Sequence, residues 1–287
     1  MPVVVDGADW RSPFFHRIRN NLDLPSAYVL SALRGARDRR LFDDVEAYCM
    51  FIGYPRSGHS LVGSLLDAHP DAVIANELDA LRYVASGFTK TQLYSLILDN
   101  SRSYGAQREH VYDYTVPGQW QGRHRTIRVI GDKKGGRSTR RLAQYPSLLR
   151  RLHDRVGVPL RFIHVVRNPF DNIATIHRRS TRERSLASAV QEYLRLCATT
   201  EQLRALVGDA VLDVRHEDLL VAPHRVLGQC CRFLGLESDD DFLEACAGIL
   251  FSSPHRTRDA VSWTPALMSE VNEALDRYEY LRGYGYD

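Results

Sequence analysis

Short apolar runs alternate with amphipathic stretches along most of the chain. Each run is roughly four to eight residues long, as in AYCMFIG at 47–53 and LRFIHVV at 160–166, which is typical of buried strands. Between the runs, apolar residues recur at helical spacing. Strands that alternate with helices predict a three-layer α/β fold, in which helices flank a central, mostly parallel sheet. Five strands are predicted, at 47–53, 72–75, 126–130, 160–166 and 210–214.

The remaining periodic segments predict helices around 27–33, 60–69, 91–98, 142–156, 169–179, 185–206, 223–234, 239–250 and 265–281. The aromatic-rich stretch at 110–124 predicts a hairpin. No repeat or linker divides the 287 residues, so we expect a single domain. Within it, 1–45 is an N-terminal helical extension and 80–125 is a variable region.

Ligands of such folds bind beyond the carboxyl ends of the strands. The loops that follow the predicted strands are therefore the candidate site. They are 53–60, 76–79, 131–136, 167–169 and 215–218.

Composition excludes several classes of protein. The chain is 44% hydrophobic and 25% charged, as ordinary globular domains are. No apolar run reaches the roughly 18 residues of a membrane span, and the N-terminus does not look like a signal peptide. The five cysteines, an odd number, indicate reduced thiols, so a cytoplasmic protein without a membrane partner is expected. A net charge of +3 argues against nucleic acid as the main partner.

The first predicted strand runs into GYPRSGHS at 53–60 and then directly into a helix. Backbone N–H groups and the helix dipole favour an anion at such a junction. The Walker A loop of nucleotide triphosphatases needs a lysine where His59 stands, so that class is disfavoured. Arg56 instead supplies a cation that can hold an oxyanion through two hydrogen bonds. The alternative is a tight turn with a solvated Arg56.

The segment YPRSGHSLVGSLLDAHP resembles the 5′-phosphosulfate-binding loop of sulfotransferases that use 3′-phosphoadenosine 5′-phosphosulfate (PAPS). The resemblance implies a P-loop-like fold with Arg56 as the basic residue of the loop. It also implies that Ser57, Gly58, His59 and Ser60 wrap the 5′-phosphosulfate. His59 departs from the Thr or Ser that is usual in the family.

A second family signature is a strand that ends in Arg and is followed, eight residues later, by a hydroxyl side chain. The segment RFIHVVRNPFDNIAT supplies Arg167 and Thr175, and the resemblance implies that both bind the 3′-phosphate of PAPS. Asn168 and Pro169 suit the cap and the first position of a helix, which again offers its N-terminus to an anion. The alternative is an ordinary capped helix with Arg167 paired to a carboxylate.

Two weaker resemblances follow toward the C-terminus. In LDVRHEDLL, His216 stands where relatives carry a Tyr near the adenine. The segment SSPHRTRDAVSW is similar to a basic segment of the family, which implies Arg256 or Arg258 at the 3′-phosphate. With these segments the resemblance spans residues 47–263, about three quarters of the chain.

Sulfuryl transfer needs a base that takes the proton of the acceptor. Members that modify carbohydrates, and many bacterial members, use a Glu soon after the second strand. The resemblance implies Glu77, which stands 21 positions after Arg56, as this base. A solvated Glu77 that caps the next helix is the alternative. Asp79 and His59 are further candidates for the base.

Only three of the 38 basic residues are lysines, and two of these, Lys133 and Lys134, stand side by side in GDKKGG. A similar Gly-Glu-Lys-Thr-Pro segment occurs in relatives, which implies that Lys133 faces the sulfuryl group as a catalytic residue. The alternative is that the two lysines are exposed to solvent, and this alternative has more weight for Lys134 than for Lys133. No spacing of His or Cys suggests a metal, and none is expected.

The variable region offers Tyr112, Tyr114 and Trp120 as acceptor-binding residues, or equally as packing residues of the hairpin. The resemblance implies a small-molecule or carbohydrate acceptor, sulfated on a hydroxyl in preference to an amine, with 3′-phosphoadenosine 5′-phosphate (PAP) as the second product. A P-loop small-molecule kinase, which would bind ATP with Mg²⁺, is the alternative enzyme. A non-catalytic protein that binds a nucleotide or a polyanion is the third class. The oligomeric state is not predicted.

Overall fold

The computed structural model describes residues 24–105, 114–179 and 184–287. Its strands form one sheet in the order β2-β3-β1-β4-β5, and every pairing is parallel. The predicted α/β fold is confirmed. The strands are β1 Ala47–Gly53, β2 Ala72–Asn76, β3 Val129–Lys133, β4 Leu160–Val166 and β5 Val211–Arg215.

Twelve α-helices pack around this sheet within the described ranges. They are α1 Leu24–Arg37, α2 His59–Asp67, α3 Ala80–Ala85, α4 Lys90–Gly105, α5 Gly136–Gln144, α6 Ser147–Val156, α7 Pro169–Arg178, α8 Leu186–Val207, α9 His216–Val221, α10 Pro223–Leu234, α11 Asp240–Ala247 and α12 Pro265–Arg277. Short 3₁₀ helices lie at Arg39–Phe42, Gly208–Ala210, Thr257–Ala260 and Glu279–Leu281. None of the described helices combines the length and apolarity that crossing a bilayer demands.

The central strand β1 is buried along its whole length, because helices cover both faces of the sheet. Its side chains alternate between two apolar layers, as the period of a strand requires. Tyr48, Met50 and Ile52 pack into the layer that contains apolar residues of α4 and α6. Cys49 and Phe51 pack into the layer that contains those of α2 and α10.

The topology places a crevice between β1 and β4. These two strands are neighbours, yet the chain leaves β1 toward β2 and leaves β4 toward β5. Ligands of doubly wound sheets bind where neighbouring strands diverge in this way. The loops that follow β1 and β4 therefore meet at the expected site.

Apart from shifted ends and the short helices α3 and α9, which were not predicted, the described elements differ from the predicted ones at three places. The third strand covers 129–133 rather than 126–130, because its polar end is buried with partners, as shown below. The helix predicted at 142–156 is two helices, α5 and α6, which Pro146 separates because it restricts Tyr145 and lacks an N–H.

The predicted hairpin is the third difference. The described part of that segment, 114–124, contains turns and no strand. Backbone groups of this segment bond to the side chain of Gln121 and not to a partner strand. Gln121 accepts from Val116 N and donates to the carbonyl oxygens of Ser64 and Tyr114.

Candidate active site

The carboxyl ends of all five strands open into one cleft of about 1010 Å³. Each of the five predicted loops contributes residues to its wall, so the structure brings the loops of the candidate site together. Among the described lining residues, Glu77 carries the one carboxylate. Nine cationic side chains line the cleft: Arg56, Lys133, Lys134, Arg137, Arg140, Arg167, Arg178, Arg179 and Arg256. A cleft with this charge is suited to a polyanion.

The loop after β1 is tightly wound. Arg56 has a positive φ of 67°, which is uncommon outside glycine, and its side chain is exposed in the cleft. Gly58 has a φ of 105°, and a Cβ at this position would lie 2.7 Å from His216 Nδ1. Ser57 is buried, and its Oγ lies 3.2 Å from the carbonyl oxygen of Tyr54 and 3.1 Å from His59 Nδ1, so its one hydroxyl proton can be given to either acceptor. The loop therefore leads into α2 with its backbone close to the ring of His216.

His59 does not fit the catalytic role that the sequence offered as one candidate. Its Nε2 lies 2.9 Å from the carbonyl oxygen of Ile52, and its Nδ1 lies 3.1 Å from Ser57 Oγ. Burial lowers the pKa of His59 to about 4, against the opposing effect of the Ile52 bond. A neutral ring with both nitrogens bonded inside the loop supports the loop and is poorly placed to take a proton from a ligand.

Glu77 and the paired lysines form the polar centre of the cleft. Glu77 N donates to the carbonyl oxygen of Lys133 at 2.9 Å, which extends the pairing of β2 with β3 by one residue. Lys133 Nζ donates to Glu77 Oε1 at 2.8 Å and to Ser60 Oγ at 3.0 Å. Lys134 Nζ lies 2.7 Å from Glu77 Oε2 and donates to the backbone oxygen of Glu77 at 3.1 Å. The sequence-predicted Glu77, Lys133 and Ser60 are thus in direct contact.

The charges of this group are set by burial and by one another. Burial raises the pKa of Glu77, but Lys133 and Lys134 outweigh it and hold that pKa below its usual value. Burial lowers the pKa of Lys133, whose side chain is only 2% exposed, and Glu77 opposes this effect. Lys134 is 15% exposed, so the alternative of a solvent-exposed Lys134 does not hold. Glu77 is therefore ionised near neutral pH.

Asp132 holds the turn that presents Glu77. Its two carboxylate oxygens accept from Leu78 N at 3.1 Å and from Ala80 N at 2.7 Å. The turn needs this support because Glu77 and Asp79 both have positive φ, at 61° and 65°. The sequence analysis assigned no role to Asp132, since the amide groups it binds are 54 and 52 residues away.

We expect the Asp132→Asn variant to lose one pH-dependent component of stability. Burial raises the pKa of Asp132 from 3.8 to about 7, although the Ala80 bond lowers it. Between these values the folded state keeps a proton that the unfolded state has lost. The free energy of unfolding that Asp132 contributes therefore falls as pH rises from about 4 to about 7, and is constant above.

Denaturant titrations at about pH 5 and about pH 8 measure this component. The stability of wild type relative to Asp132→Asn should be greater at the lower pH. Asp276→Asn, an exposed substitution on α12, serves as the control. A difference that does not change with pH would contradict the account.

Asp79 is not available as a base, which corrects the sequence-based alternative. It is buried, and Arg141 holds it with Nε donating to Oδ1 at 3.1 Å and Nη2 donating to Oδ2 at 2.6 Å. This two-pronged ion pair ties α5 to the turn before α3. Asp79 does not line the cleft in the described structure.

Arg167 and Thr175 meet at the other end of the cleft, as their spacing predicts. Arg167 donates from Nη1 to Thr175 Oγ1 at 3.3 Å, and from Nη2 to the backbone oxygen of His255 at 2.6 Å and to Thr257 Oγ1 at 3.2 Å. The Nε of Arg167 has no hydrogen-bond partner among the described residues. Asn168 caps α7 by accepting from Phe170 N at 3.0 Å. The guanidinium is therefore fixed at the cleft wall by neutral groups, with a donor left for a ligand.

Several residues of this end were missed from the sequence. Arg178 and Arg179 line the cleft, three and four positions after Thr175 on the same helix face. Their helical spacing from Thr175 is visible in the sequence and could have identified both arginines as lining residues. His255 and Thr257 also line the cleft, but nothing local in the sequence marks the contact that they make with Arg167.

Arg256 and Arg258 have different surroundings. Arg256 lines the cleft and its Nε lies 3.1 Å from Asp259 Oδ2. Arg258 is buried outside the cleft lining, where its Nη1 lies 3.5 Å from Asp171 Oδ2 and its backbone N donates to Asp171 Oδ1 at 2.8 Å. Of the two arginines that the sequence offered for the 3′-phosphate, Arg256 therefore lies in the cleft, whereas Arg258 is paired with Asp171 outside the lining.

His216 lies against Gly58, at the junction of β5 and α9. Its Nδ1 is buried and has no hydrogen-bond partner among the described residues. Burial lowers the pKa of His216, although Glu217 opposes this. A neutral imidazole therefore lines the cleft and packs through its Nδ1 edge against the loop at Gly58.

The aromatic candidates for acceptor binding lie in different places. Tyr114 lines the cleft. Trp120 does not, because its backbone N donates to Ala68, at the end of α2 that points away from the cleft, and Arg123 packs over its ring. Tyr112 lies outside the described residues.

The cysteines take no part in the site. All five are buried and free of disulfide bonds, and none lines the cleft. Within the described ranges, no group of three or more His, Cys, Asp or Glu side chains is arranged to hold a metal ion.

Comparison with solved structures shows where this fold recurs. The sulfotransferase domain of the Synechococcus PCC 7002 olefin synthase has a TM-score of 0.53 and 18% identity, over 82% of this chain and 94% of that one. The sulfotransferase domain from the curacin biosynthetic pathway has a TM-score of 0.51 and 16% identity, over 82% and 98%. Sulfotransferase STF9 from Mycobacterium avium has a TM-score of 0.53 and 13% identity, over 96% and 88%. At these identities the likeness shows the fold.

The sequence itself supplies the family. No protein with a curated description matches it significantly. The model of the sulfotransferase family matches residues 50–241, which is more than half of the chain and includes all five strand-end loops in full. The chain therefore belongs to the sulfotransferase family.

Proposed function

We propose that the protein transfers a sulfuryl group from PAPS to a hydroxyl of a small-molecule or carbohydrate acceptor, with Glu77 as the general base. The observation that carries the proposal is the contact of Glu77, Lys133 and Ser60 beside the phosphate-type loop. One base, one buried cation and one anion-binding loop meet there. These are the groups that sulfuryl transfer needs.

The two ends of the cleft fit the two phosphate-bearing ends of PAPS. Arg56 and the loop backbone would bind the 5′-phosphosulfate, and Arg167 with Thr175 would bind the 3′-phosphate. The unmatched Nε of Arg167 supports this fit, because it is a buried polar atom that a ligand could satisfy. Arg178, Arg179 and Arg256 add positive charge at the 3′-phosphate end.

PAPS supplies the reactive sulfur: a bond forms from the acceptor oxygen to sulfur while the bond from sulfur to the 5′-phosphate oxygen breaks, which leaves PAP. Glu77 takes the proton of the acceptor hydroxyl. Lys133 faces the negative charge that grows on the oxygen of the leaving phosphate. Because Lys133 is 2% exposed, this charge interaction occurs out of bulk water, where it is stronger.

The two lysines also set the basicity of Glu77. Without ligand they hold its pKa low, which favours the ionised form but weakens the base. Anionic PAPS would compete with Glu77 for Lys133 and Lys134. Its binding therefore raises the basicity of Glu77 at the moment when a base is needed.

The acceptor would enter beside Tyr114 and Glu77, which both line the cleft. On this proposal, Tyr114 of the variable region contributes to the acceptor side of a single catalytic domain. A small-molecule kinase is the less favoured alternative, because position 59 carries a buried His with both ring nitrogens bonded in place of the phosphate-binding lysine.

A transfer assay with two labels tests the proposal. The protein is incubated with ³⁵S-labelled PAPS, γ-³²P-labelled ATP and Mg²⁺, and with a panel of phenols, sugars, alcohols and amines. The proposal expects ³⁵S in an organic product, and loss of that product with Glu77→Gln. Phosphorus label in the product would favour the kinase. A ³⁵S product that survives Glu77→Gln would remove Glu77 as the base.

We expect Arg167→Met to weaken PAP binding by about 100-fold, since roughly two charge-assisted hydrogen bonds to the 3′-phosphate are lost. The affinity for 5′-AMP, which lacks that phosphate, should change little. Titration calorimetry of both ligands measures the contrast, with Arg277→Gln on the exposed surface of α12 as control. Equal losses for PAP and 5′-AMP would move Arg167 away from the 3′-phosphate.

A further inference from the structure

More positive charge lines the cleft than PAPS needs. Nine cationic side chains and one carboxylate, Glu77, form the described lining. PAPS carries about four negative charges near neutral pH. Carboxylates outside the lining neutralise part of the positive charge that PAPS does not balance, since Asp259 pairs with Arg256 and Glu192 contacts Arg140. A net positive charge still remains after PAPS is bound.

This surplus lies on the acceptor side of the cleft. Lys134, Arg137 and Arg140 follow one another at three-residue intervals from the end of β3 into α5, and all three line the cleft. The cations assigned to the 3′-phosphate lie elsewhere in the lining: Arg167 follows β4, Arg178 and Arg179 are at the end of α7, and Arg256 is next to His255. The wall formed by Lys134, Arg137 and Arg140 begins beside Glu77, because Lys134 pairs with the carboxylate of Glu77.

Arg137 has the most open surroundings of this wall. Its side chain is 63% exposed, and its Nη1 lies 3.9 Å from Asp79 Oδ2, which is beyond hydrogen-bond distance. Asp79 already gives both oxygens to Arg141. Lys134 and Arg140, in contrast, each contact a carboxylate directly. A guanidinium in this position can bind an incoming oxyanion with two parallel hydrogen bonds.

We propose that Arg137 binds an anionic group of the acceptor, a carboxylate, a phosphate ester or a sulfate ester, close to the hydroxyl that becomes sulfated. The inference rests on the proposed function, which puts the reacting hydroxyl at Glu77. Asp79 follows Glu77 by two residues and lies beside Arg137, so the anion and the hydroxyl belong to one small molecule or to neighbouring sugar units. Neutral acceptors leave the positive wall unmatched, and the enzyme discriminates against them.

Binding of simple anions to the PAPS-saturated protein tests this inference. PAPS fills the 5′-phosphosulfate and 3′-phosphate positions, and the probes have no hydroxyl or amine to accept a sulfuryl group. Benzoate and benzamide form a pair that is matched in shape and differs in charge, and inorganic phosphate is the second anion. Melting temperature against probe concentration reports binding to the native state.

Benzoate and phosphate should raise the melting temperature of the PAPS-loaded protein, and benzamide should not. Arg137→Gln should weaken benzoate binding about tenfold, as expected for loss of a charge-assisted pair, and Arg137→Lys should weaken it less. Arg150→Gln, at a 91% exposed side chain on α6, should behave as wild type. Both Arg137 substitutions are at an exposed position and should leave the fold intact.

Three results would overturn the inference. One is equal behaviour of benzoate and benzamide, including no response to either. Another is a benzoate affinity that Arg137→Gln does not change. The third is a loss of PAPS affinity in Arg137→Gln, which would assign this cation to PAPS. Failure of PAPS itself to stabilise the wild-type protein is a separate outcome, and it would count against the proposed function.

Discussion

Glu77→Gln should lower kcat by about 10² to 10⁴-fold, the range that a positioned general base contributes. The amide keeps the shape of the side chain but cannot take the proton of the acceptor. PAP affinity should stay the same or increase, because the substitution removes the carboxylate that competes with the ligand for Lys133 and Lys134. The measurement is kcat at saturating PAPS, together with a PAP titration.

This variant has a stability cost that the assay must separate from catalysis. Lys133 is buried and loses the negative charge that faces it at Glu77, so the melting temperature without ligand should fall. Saturating PAP should restore part of it, since an anion again faces the lysine. Glu273→Gln, at an exposed position on α12, is the matched control. A PAP-stabilised Glu77→Gln protein with wild-type kcat would rule out Glu77 as the base.

Lys133→Met should lower kcat by about 10² to 10³-fold, as the loss of one preorganised electrostatic contact does in other enzymes. Methionine follows the path of the lysine stem, which packs closely against Gly63 of α2, but it carries no charge. The fold should therefore survive, and Glu77 keeps Lys134 as a partner. PAP affinity should fall only a few-fold, because the charge that Lys133 stabilises develops during transfer.

Lys90→Met provides a matched control for this substitution. Lys90 is the remaining lysine of the chain, at the start of α4, and does not line the cleft. The double variant Glu77→Gln/Lys133→Met should lose much less than the product of the two single losses, since the pair acts on one transition state. Equal losses of kcat and of PAP affinity in Lys133→Met would give the lysine a role in binding alone.

The sequence alone predicted those parts of the candidate site whose residues lie close together along the chain. The loop at 53–60 and the pair Arg167 and Thr175 each lie within one strand–loop–helix unit, so spacing alone places their side chains. The parallel sheet then brings the ends of its strands together. This is why residues as distant as Arg56, Glu77 and Lys133 could be assigned to one cleft before any contact was known.

Spacing along the chain is not sufficient where a distant partner decides the position of a side chain. Arg258 is drawn to Asp171, which is 87 residues away, and Asp79 is drawn to Arg141, which is 62 residues away. In each case the chemistry of the side chain was read correctly, as a cation and as a carboxylate. The partner that binds it could not be found from spacing, because it is on another element.

The end of β3 shows the same limit for secondary structure. A hydrophobic pattern stops at Ile130, yet the strand continues through Asp132 and Lys133. Both charged side chains are buried there because Asp132 binds two backbone N–H groups and Lys133 binds Glu77. Active sites often break the rule that buried positions are apolar, so pattern-based boundaries fail most at such positions.

The central claim is that the cleft binds PAPS through its 3′-phosphate as well as its 5′ end. Titration of the protein with PAP, 5′-AMP and ATP with Mg²⁺, followed by melting temperature, tests it most directly. The account expects a clear rise with PAP and little change with 5′-AMP or ATP. A rise with ATP and Mg²⁺ alone, or equal rises with PAP and 5′-AMP, would contradict it.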